Sequence, residues 1–217
     1  ARYDFENTNY SGLDSSGNNN SADCGSSGGP LDDAPSTNAV IHHYAREYFG
    51  DTSICFTPGG SAFPNLSNTL SGSFSVTAWI KTTNTVNQDT DNAYFGSPIL
   101  FAYSSNTNSA IPLTITGSKA AFTIYDQDGN STTLHSTTTV NDGSYHFLAV
   151  TRNMTNGLMR LYVDGNLEAT GTSTTQAIRT TAEILLFGGD TDYEGLVDDV
   201  RIYSTDLSSN DVAVLAS

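Results

Sequence analysis

Positive charge is scarce in this chain. Eight Lys and Arg face twenty-three Asp and Glu, a formal net charge of −15 over 217 residues. Proteins that grip duplex nucleic acid neutralise phosphates with clustered Lys and Arg. Here the lysines are Lys81 and Lys119 and the arginines are scattered, which excludes nucleic acid and anionic membrane surfaces as partners. No apolar run approaches the ~20 residues of a membrane span, so membrane insertion is not expected. No signal peptide is visible and the chain opens at Ala1 instead of Met, which reads as a processed chain or an excised module. Cysteine is also sparse: Cys24 and Cys55 are too far apart in sequence for a CxxC redox or zinc motif. In an acidic, Lys-poor, Ser/Thr/Asn-rich chain they read as a secreted disulfide, worth about 3–4 kcal/mol in the chain-entropy model. Two free buried thiols are the alternative.

What the chain does contain is a succession of short alternating apolar runs. They are SFSVTAWIK (73–81), PILFAYS (98–104), IPLTIT (111–116), AAFTIYD (120–126), YHFLAVTR (145–152), LMRLYVD (158–164), AEILLFG (182–188) and GLVDDVRIY (195–203). Rich in β-branched and aromatic residues and bounded by Gly, Asn and Asp, they predict strands. The Asp-Gly pairs in DQDGN, after Tyr125, and in VDGN, after Tyr162, predict hairpins. Residues 7–38, dominated by Ser, Asn, Gly and Asp, predict a long loop tied down by a disulfide or a metal. The final segment alone reads as a helix, with Ser208 as N-cap and Asp211 completing a capping box. Val212 and Leu215 then share a face. The expected fold is an all-β, two-sheet antiparallel sandwich with a short C-terminal helix, and residues 1–217 form one domain.

The order of the motifs resembles the laminin G-like domains of the concanavalin A-like lectin/glucanase superfamily, in their bacterial form. YDFE (3–6), DSSGNNN (14–20), FSVTAWIKT (74–82), DGSYHFLAVTR (142–152), LMRLYVDGNLEATG (158–171) and GLVDDVRIYSTDLSSNDVAVL (195–215) carry the resemblance. Residues 21–50 and 84–96 depart from the pattern and read as insertions. The resemblance implies a jelly-roll sandwich, frequently calcium-bound, usually non-catalytic and often carbohydrate-binding.

Calcium takes hard oxygen ligands from carboxylates, amides and carbonyls. DSSGNNN offers Asp14 and Asn18, and GLVDDVRIY offers Asp198 and Asp199. Strict alternation puts Asp198 on the apolar face of Leu196, Val200 and Ile202, where a carboxylate needs a cation or several donors. Asp199, with the opposite parity, is placed to pair with Arg201. The alternative is an Asx-turn at Asp14 and backbone N–H partners for Asp198. Asp126, Asp128 and Asn130 resemble the start of an EF-hand loop without its closing Glu, so turn chemistry is the stronger reading there. The loops matching the laminin rim calcium site (104–110 and 172–181) hold no Asp or Glu.

Sugar recognition needs flat aromatics together with amides and carboxylates. The insertion VNQDTDNAYFG (86–96), the loop GGDTDYEG (188–195) and the DQDGN hairpin are expected to form a rim site. Tyr94, Asp126, Asp128, Asp190, Asp192 and Tyr193 are its ligand-binding candidates. Trp79 has outward parity with Ser75, Thr77 and Lys81. It is expected to be covered and to seed a second small core, with a sugar platform as the alternative. His146 is expected to pack structurally, because His42, His43 and His146 lack zinc spacing.

Catalysis is not expected. The superfamily's glucanases carry E-x-D-x-x-E on one strand, and none of Glu6, Glu47, Glu168, Glu183 and Glu194 begins that pattern. The chain has no GxSxG, P-loop or Rossmann motif. The sequence therefore predicts a calcium-stabilised, lectin-like carbohydrate-binding module, secreted or on the cell surface, within a larger bacterial protein such as an adhesin or a polysaccharide-degrading enzyme. The competing readings are a protein- or peptide-binding adhesion module, whose partner would be a host or surface protein, and a structural spacer.

Overall fold

A computed structural model describes residues 2–3, 15–16, 33–36, 45–49, 54–56, 69–84, 93, 96–104, 107–126, 128–176, 178, 183–186 and 193–217. The described strands are β1 (Arg2–Tyr3), β2 (Asp33–Ser36), β3 (Ala45–Phe49), β4 (Ile54–Phe56), β5 (Phe74–Lys81), β6 (Ser97–Ser104), β7 (Thr107–Thr116), β8 (Lys119–Tyr125), β9 (Ser131–Thr139), β10 (Tyr145–Arg152), β11 (Leu158–Val163), β12 (Asn166–Thr172), β13 (Glu183–Leu186) and β14 (Glu194–Tyr203). One sheet runs β12-β11-β10-β5-β14-β3-β2, with β1 also pairing β14. The other runs β4-β13-β6-β7-β8-β9. Every described pairing is antiparallel. The expected all-β, two-sheet sandwich is what forms.

Alternation decides which residues fill the space between the sheets. Phe74, Val76, Ala78 and Ile80 of β5 meet Phe122 and Ile124 of β8 and Leu113 and Ile115 of β7 in one buried cluster. Phe74 and Phe122 cross the interface edge to face, with ring centroids 6.3 Å apart. The Asp164-Gly165 pair forms the predicted two-residue hairpin between β11 and β12, both residues at positive φ. His146, at the start of β10, is buried against two carboxylates. Its Nδ1 lies 2.9 Å from Asp164 and its Nε2 3.2 Å from Asp142. Asp164 also accepts the Phe147 N–H at 2.9 Å, so this histidine braces the hairpin, as expected.

The outer face of the β5 sheet carries the second small core. Trp79 stacks at a tilt on Phe147, centroids 5.3 Å apart. Tyr162, Ala149, Leu207, Val212 and Leu215 pack with them. The last three come from the C-terminal segment and from helix α1 (Ser209–Leu215), which lies over this face. Ser208 caps the helix and forms the reciprocal capping box with Asp211. Trp79 is half-buried and belongs to this second small core beside the terminal helix, the reading the sequence favoured.

Among the departures from the sequence reading are a strand, a short helical turn at 69–71 and a bulge. Residues 33–36, assigned to the long loop, form β2 on the edge of β3. In β14 the register shifts between Asp198 and Arg201, and Asp199 sits at φ +46. Such a bulge turns the following residues over. Val197, Val200 and Ile202 face the main core, whereas Asp198 stands opposite Trp79 on the outer face. Strict alternation put Asp198 on the face of Val200 and Ile202, and the bulge overturns that placement.

The two sheets meet at their edges, where β9 of one lies against β12 of the other. Gly171 sits in this approach, where an added Cβ would come within 2.9 Å of the Leu134 side chain. Glu168 on β12 clips the edge by accepting the N–H groups of Thr137 and Thr138 at 2.8 and 3.0 Å, and the Thr138 hydroxyl. Partial burial pushes the Glu168 carboxyl up, but the bonds from Thr138 and Thr137 outweigh it, and its pKa is below the usual range. A depressed folded-state pKa stabilises the fold above the unfolded value and is lost as pH falls through the folded one. Glu168→Gln is expected to cost about 1–2 kcal/mol near neutral pH, allowing for exposure. The gap in Tm between the two proteins should close in acid. A gap that is constant with pH would contradict the clip.

Candidate functional site

Where the β9/β12 edge ends, the sandwich leaves a cleft of about 200 Å³. Ile124, one residue before the end of β8, lies on one wall, followed by Asp126 and Asn130 of the hairpin turn and by Ser131 and Thr132, which begin β9. Thr172, Ser173 and Thr174, at the end of β12 and just beyond it, form the other wall. Seven of these eight lining residues are polar.

The turn wall is set by Asp126. Its Oδ1 accepts the N–H groups of Asp128 and Asn130 at 2.9 and 2.8 Å, and its Oδ2 accepts the Asn130 side-chain amide at 2.9 Å. The Asp126 N–H donates to the Asn130 carbonyl at 2.9 Å, closing the turn. The Asn130 side chain, followed by these backbone donors, holds the carboxyl below the usual range. Asp126 is therefore a fixed anion with spare acceptor capacity on Oδ2. A loop whose carboxylate is committed to its own N–H groups is an Asx-turn, as the sequence favoured over an EF-hand start. Asp128 is exposed on the same turn.

The other wall is held from the interior. Thr132 donates to the Thr172 carbonyl at 3.1 Å across the two walls. Arg152 is fully buried at the end of β10. Its guanidinium donates to the carbonyls of Thr174 and Gln176 at 3.0 and 2.6 Å, and to Ser71 and Gly72 at 3.1 and 2.7 Å. Burial lowers its pKa, while the guanidinium stays charged. The Gln176 N–H in turn donates to the Thr174 hydroxyl at 3.0 Å.

The remaining candidates fall in different places. Tyr193 is 1% exposed and belongs to the main core. Its hydroxyl donates to the Leu196 carbonyl at 3.0 Å, and burial raises its pKa. A ring enclosed in this way cannot stack on a sugar, which corrects its assignment as a binding aromatic. Asp199 accepts Nε of Arg2 and of Arg201, both at 2.9 Å, and Arg201 bonds its second oxygen as well. Two guanidinium groups thus engage this carboxylate, the Arg201 pairing that the sequence offered for Asp199 included. Asp198 is completely buried and stands close enough to Tyr145 that its charge, second to burial, raises the tyrosine's pKa. Asp14, Asn18, Tyr94, Asp190 and Asp192 lie outside the described residues. So does the proposed pairing of Cys24 with Cys55, of which only the Cys55 backbone, on β4, is described. Among the described residues no cluster of three or more metal-ligating side chains forms.

A family model described as the concanavalin A-like lectin/glucanases superfamily matches residues 57–213. The chain belongs to this superfamily. Among solved structures it is similar to domain 4 of AbnA, a GH43 extracellular arabinanase from Geobacillus stearothermophilus, in complex with arabinotriose. The TM-score is 0.72 at 20% identity, covering 100% of this chain and 97% of that one. It is also similar to the binding domain of botulinum neurotoxin DC, seen in complex with SialylT and with rat synaptotagmin II. The TM-scores are 0.64 and 0.63 at 16% identity, covering 90% and 86% of this chain and 48% and 45% of those. These likenesses are of fold. No curated protein sequence matches the chain significantly.

The sequence singled out Asp126, Asp128 and Asn130 but missed Ser131, Thr132 and Thr172–Thr174. Their signal was the runs of hydroxyl side chains at strand ends, STT and TST. Arg152→Met is expected to destabilise by about 3–5 kcal/mol, because it leaves several buried carbonyls without their donor. Hydrogen exchange should quicken at residues 174–176 and 71–72 before it does in β5. Equal acceleration throughout would show that Arg152 does not specifically hold this wall.

Proposed function

We propose that the chain is a non-catalytic glycan-binding module of a secreted or cell-surface protein, and that the cleft between the DQDGN turn and Thr172–Thr174 is where it binds. The observation that carries this reading is the lining itself. A fixed carboxylate, an amide and several hydroxyls converge on one concave site at the end of a rigid frame. Sugar hydroxyls both donate and accept, and such a set meets both needs. Membership of a lectin/glucanase superfamily adds to this, as does the fold likeness to a domain solved with arabinotriose. The chain's own residues supply no acid pair in the E-x-D-x-x-E arrangement, so binding without turnover is the function assigned.

Calcium is the proposed structural partner, held by Asp14, Asn18 and Asp198. The support is a hard carboxylate oxygen donor standing at the β14 bulge. Chain placement adds to it. β1 pairs with β14 at Val200 and Arg201, and Ser15, the residue after Asp14, donates its N–H to the Arg2 carbonyl at 2.9 Å. The backbone next to Asp14 is therefore fastened beside the β14 bulge. The ion would supply positive charge joining the N-terminal segment to β14.

The second reading is a protein-binding adhesion module. The same fold occurs in a neurotoxin domain solved with synaptotagmin II.

Affinity electrophoresis through gels of neutral polysaccharides should retard the chain. Asp126→Ala should abolish the retardation while Tm moves by only a few degrees, because the three hydrogen bonds of its carboxylate are exposed. Retardation unchanged by Asp126→Ala would place binding elsewhere. For the metal, a ligand held at ~100 times its Kd stabilises by about 2.7 kcal/mol, or about 5–10 °C in a chain of this length. EDTA should lower Tm by that order, and Asp198→Asn should remove the dependence on EDTA. An EDTA-insensitive Tm in the unaltered protein would contradict the site.

A further inference from the structure

The cleft's chemistry narrows what it can hold. Asp126 is an acceptor-only anion, and its position is fixed by three hydrogen bonds within its turn. The Thr132 hydroxyl already donates to Thr172, so toward a ligand it acts as an acceptor. Among the described residues no Lys or Arg lines the site. The described basic side chains with assigned partners are engaged elsewhere. Arg2 and Arg201 hold Asp199, Arg152 is buried on backbone carbonyls, Lys119 bonds Thr137 and Thr139, and Lys81 lies over the Tyr145 ring. A uronate or sulfate brings further acceptor-only oxyanions and would face Asp126 unpaired, within the field of a chain of net charge −15. An uncharged sugar brings hydroxyl donors and incurs no such penalty.

Size and lining narrow it again. At about 200 Å³ the cleft is smaller than the ~300–1,000 Å³ of pockets that enclose drug-sized ligands. Among the described residues its lining has no aromatic ring on which successive sugars could stack. Contacts are therefore available to one unit and not to a run of them.

We propose that the cleft receives a single uncharged sugar unit, presented as the end or a side branch of a neutral polysaccharide, and that Asp126 excludes anionic glycans. This rests on the glycan-binding reading above and goes further by naming the ligand class and its mode of presentation.

The test uses the intact chain against two immobilised sets. Arabinan, xylan, galactan and mannan form the neutral set; polygalacturonate, alginate and chondroitin sulfate form the anionic set. Binding to a neutral polysaccharide, at least about tenfold tighter than to any anionic one at low salt, is expected. The mono-, di- and trisaccharide of the best neutral ligand should then differ in Kd by less than about threefold in calorimetry. Asp126→Asn, which removes the charge and keeps an acceptor, should narrow the preference for neutral over anionic glycans. An anionic preference, an affinity rising about tenfold with each added unit, or an Asp126→Asn protein with unaltered discrimination would each overturn the proposal and leave glycan binding standing. Absence of binding to both sets would overturn the glycan reading itself, and this proposal with it.

Discussion

The edge-to-edge contact of β9 with β12 is the constraint on which the candidate site depends. A sandwich of two sheets need not bring its edges together, and elsewhere main-chain ladders join strands only within a sheet. Here side chains join the sheets: the Glu168 carboxylate grips two Thr N–H groups, and the Thr132 hydroxyl bonds the Thr172 carbonyl. Gly171 sits in that approach. The two walls of the cleft continue these two strands, and the Thr132–Thr172 bond joins them at the cleft itself.

Polar groups do more of the positioning here than apolar ones. The main core follows from alternation and would tolerate conservative exchange of its aliphatic residues. The buried Arg152, the Asp126 turn and the Asp199 bulge have no such latitude. Each places a charge where its partners are fixed backbone groups or other charges. Arg152 links the wall beyond β12 to the helical turn at 69–71 and the Gly72 that follows it, so one core side chain fixes a rim segment. With the bulge at Asp199, Asp198 stands opposite Trp79 on the outer face and not in the aliphatic core.

Much of the frame was legible because it follows from period-two patterning and turn chemistry. The strands from Phe74 onward, the Asp164-Gly165 hairpin and the capped helix at Ser208 all follow local rules that tertiary packing did not override. The second core around Trp79 was legible too, since the parity of Trp79 opposed the main core and a terminal amphipathic helix was available to pack beside it. The site was less legible, for identifiable reasons. The Asp198 parity failed because one left-handed residue shifts every later side chain to the other face, and Asp-Asp in a strand does not announce it. Tyr193 looked like a loop aromatic because Gly and Asp surround it, yet its ring reaches the core. Thr172–Thr174 drew no notice because hydroxyl residues are common at strand ends, and only the fold brings them opposite Asp126.

Specific recognition at this cleft is the central claim, and a structure of the chain with a bound neutral trisaccharide tests it most directly. The account predicts density for a sugar between the Asp126–Asn130 turn and Thr172–Thr174, with one unit enclosed, a hydroxyl on Asp126 Oδ2 and the remaining units directed to solvent. A well-ordered sugar elsewhere, on the face around Trp79 or on the loops at 86–96 and 188–195, with this cleft empty, would contradict it.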